Sequence, residues 1–196
     1  MVRDIRICFV GDSFVNGTGD ECALGWAGRL CRLATNDATS MTYYNLGVRR
    51  DTSRDILQRV ESEVLPRLPA TVDSRVVLSF GANDTAQEYG EIRVPEQESI
   101  ANLDKMVALL KSKYQVLMVG PPPIMDDQRN QLLKDLNEAF RLKTKKLEIP
   151  FVDIFSDLEN DAQYRKEVVD HDGAHPRSRG YTKIADIILG SNEWWF

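Results

Sequence analysis

Cysteine is scarce and unpatterned in this chain of 196 residues: Cys8, Cys22 and Cys31 are odd in number and lack both C-x-x-C and metal-finger spacing. That argues against a disulfide framework and a structural zinc site, and reads as free thiols in a reducing compartment. Long apolar runs are lacking as well. None reaches the length of a signal-peptide core or a membrane span, and Met1-Val2-Arg3-Asp4 leads straight into a strand-like segment, so a cytoplasmic protein is expected. Charge of one sign is not massed anywhere. The net charge is −5 with Lys and Arg spread along the chain, which argues against a nucleic-acid partner. The small cluster Lys143, Lys145 and Lys146 falls at a predicted helix end, where it complements the helix dipole. Repeats, linkers and low-complexity tracts are missing too, so one domain over residues 1–196 is expected. The glycines of residues 11–19 make neither a P-loop, since no Gly-Lys-Ser/Thr follows, nor a dinucleotide fingerprint, since the third glycine is absent. No cofactor and no metal are expected.

What is present is an alternation of strand-length apolar runs with segments of helical period, the pattern of an α/β domain on a parallel sheet. Strands are predicted at residues 5–10, 42–46, 75–80, 115–119 and 151–154. Helices are predicted at residues 26–33, 53–65, 95–112, 128–145 and 178–189. Thr52 is the expected N-cap of the second helix, with Ile56, Leu57, Val60 and Val64 as its buried stripe. In the last helix Tyr181, Ile184, Ala185 and Ile188 face inward and Gly190 is the stop. Pro121-Pro122-Pro123 makes a stiff loop after the fourth strand, at the carboxyl end of the sheet, where open α/β folds bind ligands.

Four short blocks carry chemistry. Gly11-Asp12-Ser13 follows the first strand and presents a serine beside a free backbone N–H; it also fits an ordinary capped turn. Asp172-Gly173-Ala174-His175-Pro176 puts a carboxylate three residues before an imidazole, so that Asp172 can hold Nδ1–H while Nε2 faces a serine; it also fits a surface turn. His171 is a rival base without an acid three residues earlier, and Asp170 a rival orienter. Asn83, in Gly81-Ala82-Asn83-Asp84, can donate from its amide to a developing oxyanion, and Gly47, in Asn45-Leu46-Gly47, can bring its backbone N–H close to a substrate oxygen. Both also fit plain loop chemistry. Asp12 and Asp84 are assigned to loop-fixing hydrogen bonds. Ser13 is not in a G-x-S-x-G elbow, because residue 15 is valine.

In this order the blocks resemble the SGNH hydrolases, also called the GDSL-type esterase/lipase family. The namesake residues correspond to Ser13, Gly47, Asn83 and His175, with Asp172 as third triad member, and the matched stretch runs from Gly11 to Tyr181. The resemblance implies a flavodoxin-like three-layer α/β/α sandwich with a five-stranded parallel sheet. It implies ester or thioester hydrolysis without metal or cofactor, through a covalent acyl-enzyme on Ser13 with Ser13, Gly47 and Asn83 holding the oxyanion. Without an inserted lid or extra domain the site is expected to be open and shallow, so a serine esterase of small or short-chain acyl esters is expected. An acyl-CoA thioesterase, a lysophospholipase, a carbohydrate deacetylase, an acyltransferase and a non-catalytic flavodoxin-like binding protein are the alternatives. The partner is then a small acyl ester or thioester, with a homo-oligomer an open possibility. Two positions depart from the family pattern. Phe14 replaces the namesake leucine, and Arg50 stands where many members have a second glycine, either to pair with Asp51 or to face an anionic substrate group. Phe14, Val15, Tyr89, Ile124 and Met125 are candidate walls of an acyl site. Trp194-Trp195-Phe196 is expected to pack back on the domain or to meet a second copy.

Overall fold

The computed structural model describes residues 2–196 and places five parallel strands in the order β2-β1-β3-β6-β7. In chain order the elements are β1 (Arg3–Gly11), α1 (Ser13–Asn16), α2 (Gly25–Ala34), β2 (Thr39–Gly47), α3 (Ser53–Val64) and β3 (Asp73–Ser79). A two-stranded antiparallel hairpin follows, β4 (Gln87–Glu88) with β5 (Glu91–Ile92), then α4 (Glu96–Leu110), β6 (Gln115–Val119) and α5 (Asp127–Leu147). The chain ends with β7 (Phe151–Val152), α6 (Phe155–Leu158), α7 (Ala162–Asp170) and α8 (Ser178–Gly190).

Both faces of the sheet are covered, which is why its central strands read as continuous apolar runs rather than alternating ones. From β1, Ile5, Ile7 and Phe9 pack with Trp26 and Leu30 of α2, Val168 of α7, and Tyr181 and Ile184 of α8. Cys8 and Val10 point the other way, into a second core with Ile56 and Val60 of α3, Leu103 and Met106 of α4, and Phe140 of α5. The result is the three-layer α/β/α sandwich with five parallel strands that the resemblance implied. The expected inward stripes of α3 and α8 are buried, except that Leu57 is only partly covered. Among the described residues no helix is long and apolar enough to cross a membrane.

Several caps follow from sequence. Thr52 and Asp55 form a capping box at the start of α3, with Thr52 Oγ1 and N both donating to Asp55 Oδ2. Lys145 and Lys146 lie in the last turn of α5, and Lys143 pairs with Asp104 instead. Gly190 is the final residue of α8 and Ser191 its cap, so the helix stops one residue later than expected. The stretch before the Asp172 block, for which no strand or helix is predicted, holds α6 and α7. Asp161 caps α7 by accepting from Tyr164 N, and the inward face of α7 is only Tyr164, Glu167 and Val168, too short a stripe for periodicity to reveal. At the C-terminus Trp194 is buried in the first core, and the Arg75 guanidinium lies 4.9 Å from the Trp195 ring and 4.5 Å from the Phe196 ring, so this segment packs back on its own chain.

Strand register sets the site. Gly11 at the end of β1 is level with Gly47 of β2 and Ser79 of β3, so the loops after these strands emerge together. The chain leaves β1 toward β2 and returns on the other side at β3, which makes this carboxyl edge the switch point where doubly wound sheets bind ligands.

Candidate active site

Gly11 is where β1 must pass close to β3: a Cβ there would lie 2.0 Å from the Ser79 carbonyl oxygen. The next residue, Asp12, caps the short helix α1 by accepting from Phe14 N at 2.9 Å, and Ser13 occupies the first position of that helix. The capped turn and the serine presented beside a free backbone N–H are therefore one structure. Burial is the main cause, with Asp84 and Asp51 adding repulsion, that pushes the Asp12 carboxyl up to about 7.

His175 reaches Ser13 across the whole length of the chain. Its Nε2 lies 2.7 Å from Ser13 Oγ, and its Nδ1 lies 2.7 Å from Asp172 Oδ2. Because an ionised carboxylate only accepts, Nδ1 carries the proton and Nε2 is left to accept from the serine hydroxyl. Asp172 also accepts from the backbone N–H of His175 at 2.8 Å and of Ala174 at 3.0 Å. Burial works to raise the Asp172 carboxyl, but these backbone bonds and the imidazole outweigh it and hold it at about 2. For His175 the balance runs the other way. Burial pulls the imidazole below its ordinary 6.5, reinforced by Arg49 and His171, and the Asp172 hydrogen bond and charge only partly restore it. The Phe14 ring lies 4.8 Å from the imidazole, centre to centre, and limits its swing.

The 171–177 loop is pinned from several sides. Glu167 of α7 accepts from Arg177 N and Gly180 N at the start of α8, Gly173 O accepts from Met125 N, and His171 Nδ1–H donates to the His175 carbonyl at 3.1 Å. His171 is therefore spent on this backbone contact, and Asp170 pairs with Lys166 on the surface of α7. Neither rival takes part in the Ser13 contact.

Asn83 lies in the turn after β3, its Nδ2 donating to the Asp51 carbonyl at 2.9 Å, which fixes the amide plane and leaves its second N–H available. Asp84, buried beneath, accepts from Ser53 N at 2.7 Å and Ser99 Oγ at 2.6 Å and ties the turn to α3 and α4, the loop-fixing role assigned to it. Gly47 is a different case. Its N–H donates to Asn45 Oδ1 at 3.0 Å, and a Cβ at Gly47 would meet Asn16 N at 2.1 Å, so the glycine is required by the packing of β2 against α1. Gly47 also does not line the cleft. Arg50 does, with φ of +70°, and its backbone N–H has no protein acceptor among the described residues; the same holds for the N–H of Ser13.

The cleft has a volume of about 260 Å³ and is lined by Ser13, Asn83 and His175, by Phe14, Ile124 and Ala174 of one apolar cluster, and by Arg50, Glu88, Arg93 and Arg129. Of the expected apolar walls, Phe14 and Ile124 line it. Val15 is fully buried in the first core, while Met125 is half exposed and Tyr89 stands 99% exposed at the tip of the β4–β5 hairpin, held there by hairpin geometry that the sequence pattern did not announce. Arg50 does not pair with Asp51, which is taken by Arg59 at 2.7 Å; it reaches Glu88 at 3.6 Å instead. Arg59 was not singled out from sequence. It also donates to Gly11 O at 2.9 Å and Leu46 O at 3.0 Å, joining the ends of β1 and β2 to the Asp51 loop. A lone arginine on the polar side of a helical stripe carries no signal of such a role.

A carboxylate, an imidazole and a serine hydroxyl in one hydrogen-bonded series, at the switch point of a parallel sheet, have the arrangement of a serine hydrolase triad. The chain belongs to the GDSL-like lipase/acylhydrolase family, whose model matches residues 9–183, and is by that membership an ester-hydrolysing enzyme. Among solved structures it is similar to the acetylxylan esterase Axe2 of Geobacillus stearothermophilus, with a TM-score of 0.80 at 19% identity over 97% of this chain and 96% of that one. A G-D-S-L family lipolytic protein of Veillonella parvula DSM 2008 superposes with a TM-score of 0.76 at 19% identity over 96% and 98% of the two chains. In sequence it is 22% identical to the protein YpmR of Bacillus subtilis (strain 168), over 94% of this chain and 80% of that protein.

Proposed function

We propose that the protein is a serine esterase of small or short-chain acyl esters, acting through a covalent acyl-enzyme on Ser13. The observation that carries the reading is the unbroken series Asp172 Oδ2, His175 Nδ1, His175 Nε2, Ser13 Oγ, with both contacts at 2.7 Å. In this reading Ser13 Oγ attacks the acyl carbon while its proton passes to His175 Nε2, and Asp172 stabilises the imidazolium. The tetrahedral oxyanion is held by the N–H of Ser13 and the free N–H of Asn83. The third donor is the backbone N–H of Arg50 rather than that of Gly47, because the first is unengaged at the cleft and the second is committed to Asn45. Collapse of the intermediate returns the His175 proton to the leaving alcohol, and water repeats the sequence to free the acid. The preference for small acyl groups rests on the modest volume of the cleft.

A fluorophosphonate probe should label the protein once and fail on Ser13→Ala. Aryl esters of graded chain length, assayed beside acyl-CoA thioesters and a lysophospholipid, then separate the esterase from the thioesterase and lysophospholipase readings. Labelling that persists in a folded Ser13→Ala variant overturns the assignment of the nucleophile.

A further inference from the structure

Three arginines and one glutamate line the cleft beside the triad, in a chain whose overall charge is −5. Glu88 lies 3.6 Å from Arg50 and 3.5 Å from Arg93, so a single carboxylate answers two of the cations. Arg93 also donates through Nη1 to the Arg50 carbonyl at 2.9 Å. The third, Arg129, has no acidic side chain at ion-pair distance among the described residues. It rises from the first turn of α5, where the nearest carboxylate in sequence, Asp127, pairs with Arg165 at 3.3 Å, and the cap Asp126 is turned to the backbone N–H groups of Gln128 and Arg129 at 3.0 Å. Among the described residues the Arg129 guanidinium makes one hydrogen bond, from Nη2 to the Ala82 carbonyl at 2.7 Å, and the Nε–H is shielded from solvent with no partner. A guanidinium stays charged near neutral pH even when burial presses on it, and a partly desolvated cation with no carboxylate in direct contact, only the more distant charge of Asp126, is costly. A bound anion offsets that cost.

We infer that the cleft is built for an ester that itself carries an anionic group, a carboxylate or a phosphate, and that Arg129 is the residue that binds it. The inference rests on the esterase reading of Ser13 and names the substrate class for that site. A guanidinium suits this task because its free N–H donors match the oxygens of either anion, and the partners that would quench it are already engaged by Arg50 and Arg93.

The Ala82 contact supplies the competing account, that Arg129 only props the turn carrying Asn83, and the test must separate the two. Paired esters do so: 4-nitrophenyl propionate against 4-nitrophenyl hemisuccinate, with the charge on the acyl side, and glyceryl monoacetate against acetylated glycerol phosphate, with the charge on the alcohol side. For at least one pair, Arg129→Gln should lower kcat/KM for the anionic member about 10- to 100-fold more than for the neutral one, chiefly through KM, with Arg129→Lys in between. The pair that responds identifies the side of the substrate that bears the anion. Equal losses on both members of both pairs, seen mainly in kcat, overturn the inference and leave Arg129 as a prop for the turn. Wild-type turnover of the neutral esters and probe labelling of Ser13 keep that result distinct from failure of the esterase reading, in which neither would occur.

Discussion

Asn83→Ala separates chemistry from folding at the turn proposed to hold the oxyanion, because the side chain is engaged in two different ways. One N–H of its amide donates to the Asp51 carbonyl at 2.9 Å, and the other is free at the cleft. Truncation removes the first bond from the folded state, and because Asn83 is only half-buried, water can take up the abandoned carbonyl. The stability loss should then be about 1 kcal/mol, or a fall of about 2–4 °C in Tm for a chain of this size. Loss of the second N–H acts only where negative charge develops. A preorganised oxyanion donor is worth roughly 3–4 kcal/mol of transition-state stabilisation, so kcat should fall about 10²–10³-fold while KM changes little. Asn83→Asp should be at least as damaging, since it keeps the shape, removes both donors and sets a carboxylate beside the oxyanion. The assay needs an ester of a poor leaving alcohol, so that acylation limits turnover, and a denaturation curve on the same preparation. A folded Asn83→Ala protein whose kcat lies within about threefold of wild type on that substrate refutes the reasoning, because the turn would then hold no oxyanion donor.

The pH profile follows from the direction of the His175 shift. In the proposed mechanism the neutral imidazole is the active form, and burial holds its pKa below 6.5, so kcat/KM should fall on acidification with its midpoint below that value and reach a plateau above it. His171→Ala should keep turnover and move that midpoint upward by removing a positive neighbour; a folded His171→Ala protein without activity would place the base at the wrong histidine. Asp12 has the opposite sign of linkage. Its folded pKa is raised from 3.8 to about 7, so the native state binds more protons than the unfolded one between those values, and this contribution to stability is full below 3.8 and lost as the pH rises to about 7. Asp12→Asn keeps an oxygen for the Phe14 N–H cap and should flatten the stability curve in that window; curves for wild type and variant that run parallel from pH 4 to 7 would show that Asp12 is not buried as a titrating group.

Local chemistry made much of this protein legible in one dimension. Apolar runs such as 5–10 and 75–80 mark central strands because both faces are covered, and the stripe Ile56, Val60 and Val64 marks a helix because 3.6 residues per turn align it. The capping box of Thr52 and Asp55, and the Asp172 to His175 pair, are contacts between residues three apart, which sequence spacing alone specifies. What the sequence left open involves partners distant in the chain. Nothing in the order of residues says that the Cβ space at Gly47 is taken by Asn16, that Arg59 gathers Gly11, Leu46 and Asp51, or that Glu167 holds the start of α8. The three arginines of the cleft come from residues 50, 93 and 129, of which only Arg50 stands out in the sequence, and only the tertiary fold leaves one carboxylate among them and Arg129 with no ion pair among the described residues. A short-range contact is set by the geometry of a turn; a long-range one depends on how the strands align, and here the level ends of β1, β2 and β3 decide which loops meet.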